Sequence, residues 1–274
     1  MSLDPKLHAL LSQAGQQDVP VVFLTGAGIS AESGIPTFRG EEGYWTRGSQ
    51  VYHPQELATW STFSRNPQLV WPWYLYRRSV CRAAEPNAAH RVLAQLEQAM
   101  TDRFTLVTQN VDGLHLRAGN SIEKTWQIHG NIDFMRCAAG CTQTLKPVPD
   151  LGQINQNTGF EPDWKDPLTC PRCGQWMRPH VLWFDETYDE PRYRYESTQR
   201  AAASAGLLVV VGTAGATNLP RQMAQIARAK GTPIIDINPQ DNPFAVTARA
   251  GRGGWIAAPA TEGLAWVRDA LLEG

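Results

Sequence analysis

The chain has 274 residues, 25 Lys and Arg against 26 Asp and Glu, and a formal net charge of -1. That balance excludes a protein drawn by overall charge to nucleic acid or to an anionic membrane. With 42% apolar and 19% charged residues it is neither disordered nor fibrous, and its length provides for one large domain or two unequal ones.

The N-terminal stretch MSLDPKLHALLSQAGQQ has neither the layout of a signal peptide nor Arg-rich transit character, so a cytoplasmic protein is expected. The longest apolar runs, residues 19–24 and 207–211, are far too short to span a bilayer. The first of them is β-branched and ends in Thr25-Gly26-Ala27-Gly28, which reads as a buried strand entering a glycine-rich turn. Residues 41–85 follow, dense in aromatics such as Tyr44, Trp45, Tyr52, Trp60 and Trp71. A second buried strand is expected at 104–107, ending in Thr108-Gln109-Asn110. Between about 131 and 180 the apolar periodicity fails and Pro, Gly and Cys accumulate, as in a small module held by metal rather than by a large core. Strands return at 207–211, ending in Gly212-Thr213-Ala214, and at 233–237, ending in Asn238-Pro239. Between these two, residues 219–230 carry Met223, Ile226 and Ala227 at helical spacing.

Strands apolar on both faces, alternating with helix-length segments, imply an α/β fold: a Rossmann-like parallel sheet with helices on both sides. Such sheets place ligands at the carboxyl ends of their strands. The implied division is a Rossmann-like domain from residues 1–40, 86–130 and 181–274, a helical aromatic insertion at 41–85, and a small module at 131–180.

Gly26-Ala27-Gly28-Ile29-Ser30-Ala31 fits G-x-G-x-x-[G/A] directly after a predicted strand. The glycines let the backbone approach a pyrophosphate, and a following helix N-terminus favours its charge. The same residues also suit a plain strand-to-helix turn. A dehydrogenase should show a second strand ending in an acidic residue about 20 positions on. Here the chain runs Glu32-Ser33-Gly34-Ile35-Pro36-Thr37-Phe38-Arg39-Gly40, a loop in which Phe38 offers a stacking face and Arg39 a fixed cation. A dinucleotide is expected, without hydride transfer.

Four of the five cysteines come as Cys137-x3-Cys141 and Cys170-x2-Cys173; Cys81 stands alone in an apolar context, as an ordinary buried thiol does. Four thiolates can close a tetrahedral zinc site, while two disulfides or unlinked thiols remain the alternatives. Asn110 and Asp112 sit just past a strand end, where they can reach a ligand or merely cap a turn. His129, before Gly130, has an unperturbed pKa near 6.5 that suits a general base, although a lone histidine is more often structural. Tyr74 and Arg77 are three apart, so on a helix they share a face and can hold a carboxylate. The alternative is an aromatic core face with a solvated Arg.

In order along the chain, GAGISAESGIPTFRG, Thr108–His115 (TQNVDGLH), Ile128-His129-Gly130, the two cysteine pairs, residues 178–184, Val211-Gly212-Thr213 and Ile237-Asn238 resemble the sirtuins, the NAD-dependent protein lysine deacylases. The resemblance spans about residues 20–240. It implies NAD as cofactor and one structural zinc on Cys137, Cys141, Cys170 and Cys173. In that family the acyl carbonyl oxygen attacks the anomeric carbon of the nicotinamide riboside, nicotinamide leaves, and a histidine acts as base on a ribose hydroxyl. The products are free lysine, nicotinamide and O-acyl-ADP-ribose. Carried over, His129 is the base, and Asn110 and Asp112 orient the ribose, a water and the nicotinamide amide. Gln109 contacts the ribose, Phe38 shields the reactive face and Arg39 orders the cofactor loop. Gly26, Ala27, Gly28, Ile29, Ser30, Trp45, Val111, Gly212, Thr213 and Asn238 complete the implied cofactor pocket.

Tyr74-x-x-Arg77, with Thr37, resembles class III sirtuins, which remove succinyl and malonyl groups, so desuccinylase and demalonylase activity is expected beside deacetylation. Val181, Leu182, Trp183 and Phe184 resemble the segment that pairs as a strand with the substrate peptide, a mode that reads backbone. The implied partners are acylated lysines of proteins, with no nucleic acid or membrane, and a monomer or weak oligomer is expected. An ADP-ribosyltransferase on the same fold is the rival reading, and a non-catalytic binding module a second. The chain departs from the family at Ala214-Gly215, at Asp185, which adds a carboxylate near the peptide groove, and at Pro239-Gln240.

Overall fold

A computed structural model describes residues 3–36 and 54–273. Thr37, Phe38, Arg39, Tyr44, Trp45 and Tyr52 lie outside the described residues. In chain order the strands are β1 (Val21–Thr25), β2 (Phe104–Thr108), β3 (Thr125–Gln127), β4 (Gly130–Cys137), β5 (Lys146–Pro147), β6 (Met177–Val181), β7 (Leu207–Val211), β8 (Ile234–Ile237) and β9 (Gly254–Ile256). The helices are α1 (Pro5–Gln16), α2 (Pro54–Leu57), α3 (Trp60–Arg65), α4 (Pro67–Ala83), α5 (Ala88–Met100), α6 (Leu114–Arg117), α7 (Glu190–Tyr193), α8 (Tyr195–Ser204), α9 (Asn218–Ala229), α10 (Pro243–Arg249) and α11 (Ala260–Leu272).

The larger sheet is parallel, in the order β3-β2-β1-β7-β8-β9. Every residue of β1, β7 and β8 is buried, as expected of strands covered on both faces. Alternate residues serve opposite layers. Val21 and Phe23 join one core with Leu11 of α1, Leu93 of α5 and Leu264 of α11. Val22 and Leu24 join another with Ala202 of α8, Met223 of α9 and Phe244 of α10. Helix starts are set locally: the Asp4 carboxylate accepts from the Lys6 amide at 2.8 Å, with Pro5 opening α1. Asn87 and His90 form a reciprocal capping box on α5.

Numbered within this sheet alone, the strand order is 3-2-1-4-5-6, the order of dinucleotide-binding folds, with its reversal between β1 and β7. Thr25 pairs with both Thr108 and Val211, so Gly26, Gln109 and Gly212 emerge at one level, at the mouth of the crevice.

β4, β5 and β6 form a separate antiparallel sheet in the order β5-β4-β6. A third core joins it to α4 through Trp71, Tyr74, Ile132, Met135 and Trp183. The Trp71 indole donates to the Met177 carbonyl at 3.0 Å, tying α4 to β6. Among the described residues no helix is long and apolar enough to cross a membrane.

Candidate functional site

The glycine turn after β1 meets the turn after β7 backbone to backbone. The Gly26 amide donates to Val211 at 3.0 Å and the Gly28 amide to Gly212 at 2.7 Å. A Cβ on Gly28 would lie 2.7 Å from both the Cα and the carbonyl oxygen of Gly212. Gly212 itself has φ +60, and a Cβ there would sit 2.5 Å from the Ile29 amide nitrogen. The glycines are therefore needed for the approach of two chain segments. The helix that follows differs from the sequence expectation: Ala27–Ser33 is a 3-10 helix, ended by Gly34. So short a helix adds little dipole, and Ile29 within it is buried in the core.

Gln109 bridges the crevice. Its backbone amide donates to the Thr25 carbonyl at 3.0 Å. Its side-chain amide donates to Thr213 Oγ1 at 2.9 Å, and its Oε1 accepts from Thr217 Oγ1 at 2.9 Å. Asn238, past β8, donates to the Thr213 carbonyl at 3.3 Å and closes the far side. Val111 lies beside this row, its carbonyl accepting from the Ile132 amide at 2.9 Å.

Asn110 Nδ2 donates to the Gly26 carbonyl at 3.1 Å and to Ser30 Oγ at 3.0 Å. Ser30 Oγ donates to Asp112 Oδ2 at 2.7 Å, and the Leu114 amide donates to Asp112 Oδ1 at 2.9 Å. Burial raises the Asp112 carboxyl above the usual carboxylate range, against the pull of those two hydrogen bonds. Two histidines extend this network inward. His90 Nε2 lies 3.4 Å from Ser30 Oγ, and His115 Nε2 lies 3.0 Å from Thr25 Oγ1. Their rings are 4.9 Å apart, and burial pushes both below the usual imidazole range, so both are neutral. The sequence held His115 inside a quoted motif, but nothing in it marked His90 as a neighbour.

His129 is fixed by its partners. Nδ1 lies 2.9 Å from the Gln109 carbonyl, which can only accept, so Nδ1 carries the proton and Nε2 the lone pair. Nε2 faces the Tyr188 hydroxyl at 2.8 Å. Burial pushes the imidazole down to about 4, against the Gln109 hydrogen bond, which raises it. At neutral pH it is a free base in one tautomer. The His129 carbonyl accepts from the Leu182 amide at 2.9 Å, so residues 181–184 run beside the base.

That segment is held from below. Glu186 takes both guanidinium nitrogens of Arg178, accepts from the Trp183 amide at 3.0 Å, and lies 3.6 Å from Arg136. The Arg178 guanidinium lies 3.4 Å from the centre of the Trp183 ring. The amides of Leu182, Trp183 and Phe184 are all engaged within the chain. Phe184 is 59% exposed. Asp185 does not stand free at the groove: it accepts from the amides of Trp60 at 2.7 Å and Ser61 at 3.0 Å, and so anchors the first turn of α3.

On α4, Tyr74 and Arg77 share a face as their spacing predicts, but that face is buried. Arg77 is only 6% exposed, its guanidinium 4.8 Å from the centre of the Trp73 ring and 6.0 Å from that of Tyr74. The Trp183 indole donates to the Tyr74 hydroxyl at 2.7 Å, which leaves the phenol hydrogen to donate onward. Burial raises the Tyr74 phenol to about 12, so it keeps that hydrogen.

The four paired cysteines converge, with all sulfurs within 4.8 Å of one another. Cys137 and Cys173 are 3.6 Å apart, as are Cys141 and Cys170. A disulfide needs about 2.05 Å. A tetrahedral zinc with bonds of about 2.3 Å needs sulfurs about 3.8 Å apart. The spacing fits four ligands around one zinc ion with no open position. Cys81 is buried on α4, away from this cluster.

A Sir2 family model matches residues 26–218. An NAD-dependent protein deacylase of Leptospira interrogans is 43% identical over 81% of this chain and 82% of its own length. Another, of Aquifex aeolicus, is 38% identical over 83% of this chain and 87% of its own. The solved structure of a Sir2 homologue in complex with NAD has a TM-score of 0.78 at 32% identity, covering 97% of this chain and 93% of that one. A Sir2 homologue mutant in complex with ADP-ribose has a TM-score of 0.81 at 31% identity, covering 99% and 97%. The family match runs from the glycine turn through the cysteine cluster to the loop after β7, and relatives well above 30% identity cover four-fifths of the sequence: this chain belongs to the Sir2 family, the sirtuins.

Proposed function

We propose that the chain is an NAD-dependent protein-lysine deacylase in which His129 is the general base. The observation that carries this is the state of His129. One nitrogen is locked on the Gln109 carbonyl, and the other holds its lone pair at the crevice mouth beside residues 181–184.

When bound, NAD supplies an ADP-ribosyl electrophile with nicotinamide as leaving group. The residues present suit it. Gly26, Ala27, Gly28 and Gly212 belong to the two turns that meet at the sheet's reversal point, where such folds bind dinucleotides, and Gln109, Thr213 and Asn238 line the crevice with oriented dipoles. Asn110 and Asp112, locked through Ser30, present fixed polar groups to the reacting sugar, so no reorganisation is needed as positive charge develops there. His129 Nε2 accepts the proton of a ribose hydroxyl. Cys137, Cys141, Cys170 and Cys173 would hold one zinc ion, which with four thiolate ligands would brace the small sheet rather than take part in the reaction.

The substrate is an acyl-lysine of a protein. With its three amides engaged, the Leu182–Phe184 segment would pair with a peptide through its carbonyls, which reads backbone rather than side chains. For the acyl group, a buried guanidinium beside a phenol with a hydrogen to donate suits a carboxylate, so succinyl- and malonyl-lysine should be processed beside acetyl-lysine.

The test is a panel of acyl-lysine peptides with NAD, read by mass spectrometry. Arg77→Met should cut turnover of succinyl-lysine about tenfold or more beyond any loss on acetyl-lysine, given the worth of a charge-assisted pair. Equal losses on both would refute the carboxylate pocket. His129→Ala should abolish deacylation while the protein stays folded and zinc-loaded; a variant keeping most of its turnover would remove His129 as base.

A further inference from the structure

We propose that Tyr188 caps the catalytic base in the ligand-free protein: its hydroxyl holds the one lone pair of His129 that the cofactor's ribose hydroxyl needs, and binding displaces it.

The hydroxyl lies 2.8 Å from His129 Nε2. With Nδ1–H held by the Gln109 carbonyl, the neutral imidazole has a single acceptor site, in the ring plane at Nε2. Two hydroxyls cannot both donate to it. Burial raises the Tyr188 phenol above its usual range, so the group remains a hydrogen donor at any working pH. Tyr188 sits on the irregular stretch between β6 and α7, half-buried, its ring stacked on Tyr195 at 6.2 Å and 16°. The Gln109 carbonyl on His129 Nδ1 and the Gln109 side chain on Thr213 link the base to the side of the crevice where Thr213 lies. Tyr188 thus acts through His129, as a positioning residue that keeps the imidazole in its productive tautomer until the cofactor arrives.

This rests on the deacylase reading for the identity of the displacing group, but the cap itself is testable without turnover. The full chain, zinc-loaded, is compared as wild type and Tyr188→Phe. Calorimetry with ADP-ribose should show about fivefold tighter binding to the variant, because one intramolecular hydrogen bond no longer has to be broken. A purely structural role for the hydroxyl cannot produce tighter binding. Nitrogen NMR of the ligand-free proteins, with labelled histidine, should show the His129 Nε2 resonance moving toward that of an unbonded imidazole nitrogen in the variant. Equal or weaker ADP-ribose affinity in Tyr188→Phe overturns the cap, as does an unmoved Nε2 resonance. If wild type binds ADP-ribose and shows the cap but releases no acyl group with NAD, the deacylase reading fails and the cap stands.

Discussion

At the scale of single residues, the crevice depends on atoms that are missing. β1 and β7 can end side by side because Gly28 and Gly212 have no Cβ, and the 2.7 Å approach is to backbone, which cannot step aside. Gly28→Ala should therefore cost roughly 1–3 kcal/mol of stability, as overpacking does, and abolish ADP-ribose binding. Thermal denaturation and calorimetry check it; a stable, binding variant would show that the turns can part. The glycines were legible in the sequence as a pyrophosphate motif, but their second role, toward each other across 184 positions, was not. Asp185 shows the opposite case. From the sequence it was a carboxylate added near the peptide groove. In the fold it accepts two amides of α3, so its charge is engaged in holding a helix.

At the scale of elements, a zinc ion on the four cysteines would brace the small antiparallel sheet. β5 is two residues long, and β4 and β6 carry a register shift, so backbone pairing alone is a weak tie. Stripping zinc with a strong chelator should abolish hydrogen-exchange protection in β4, β5 and β6 while β1, β2 and β7 keep theirs. Uniform loss across both sheets would mean that the metal holds the whole molecule. Both cysteine pairs were readable from spacing, and their choice between zinc and disulfide is settled by sulfurs 3.6 Å apart. The strands at residues 19–24, 104–107, 207–211 and 233–237 were readable as buried runs, because strands covered on both faces carry no polar alternation. The 3-10 form of the helix after the glycine turn was not: no period in the sequence marks it, and the turn after β7 packs against its first residues.

At the scale of the whole molecule, the pattern of buried ionisable groups sets the acid sensitivity. Burial pushes His90, His129 and His180 down to about 4, and His115 well below the imidazole range. In the unfolded chain these titrate near 6.5. Below 6.5 the unfolded chain therefore takes up protons that the native state refuses, so their stabilisation is complete above 6.5 and is lost as pH falls toward 4. Asp236, raised by burial to about 7, and Asp112, raised likewise, act with opposite sign: the native state keeps a proton that the unfolded chain releases. Four histidines outweigh two carboxyls, so the melting temperature should fall between pH 6.5 and pH 4. Calorimetric scans at fixed ionic strength check this, and a melting temperature that rises across the window would contradict the assignment of those four rings as neutral.

The sequence by itself determined the layered parallel fold, the place of the cofactor turn and the two cysteine pairs. Each of these is written in local terms: runs of apolar residues, glycines after a strand, and cysteines in close pairs. Only the tertiary structure decided which groups meet. The tautomer of His129 follows from a carbonyl 20 residues away, and the partner of its other nitrogen from Tyr188, 59 residues on. The burial of Arg77 beside the Tyr74 phenol follows from how α4 packs under Trp183. A proton's position and a cation's solvation depend on distance and exclusion of water, and those are properties of the packed chain rather than of its order.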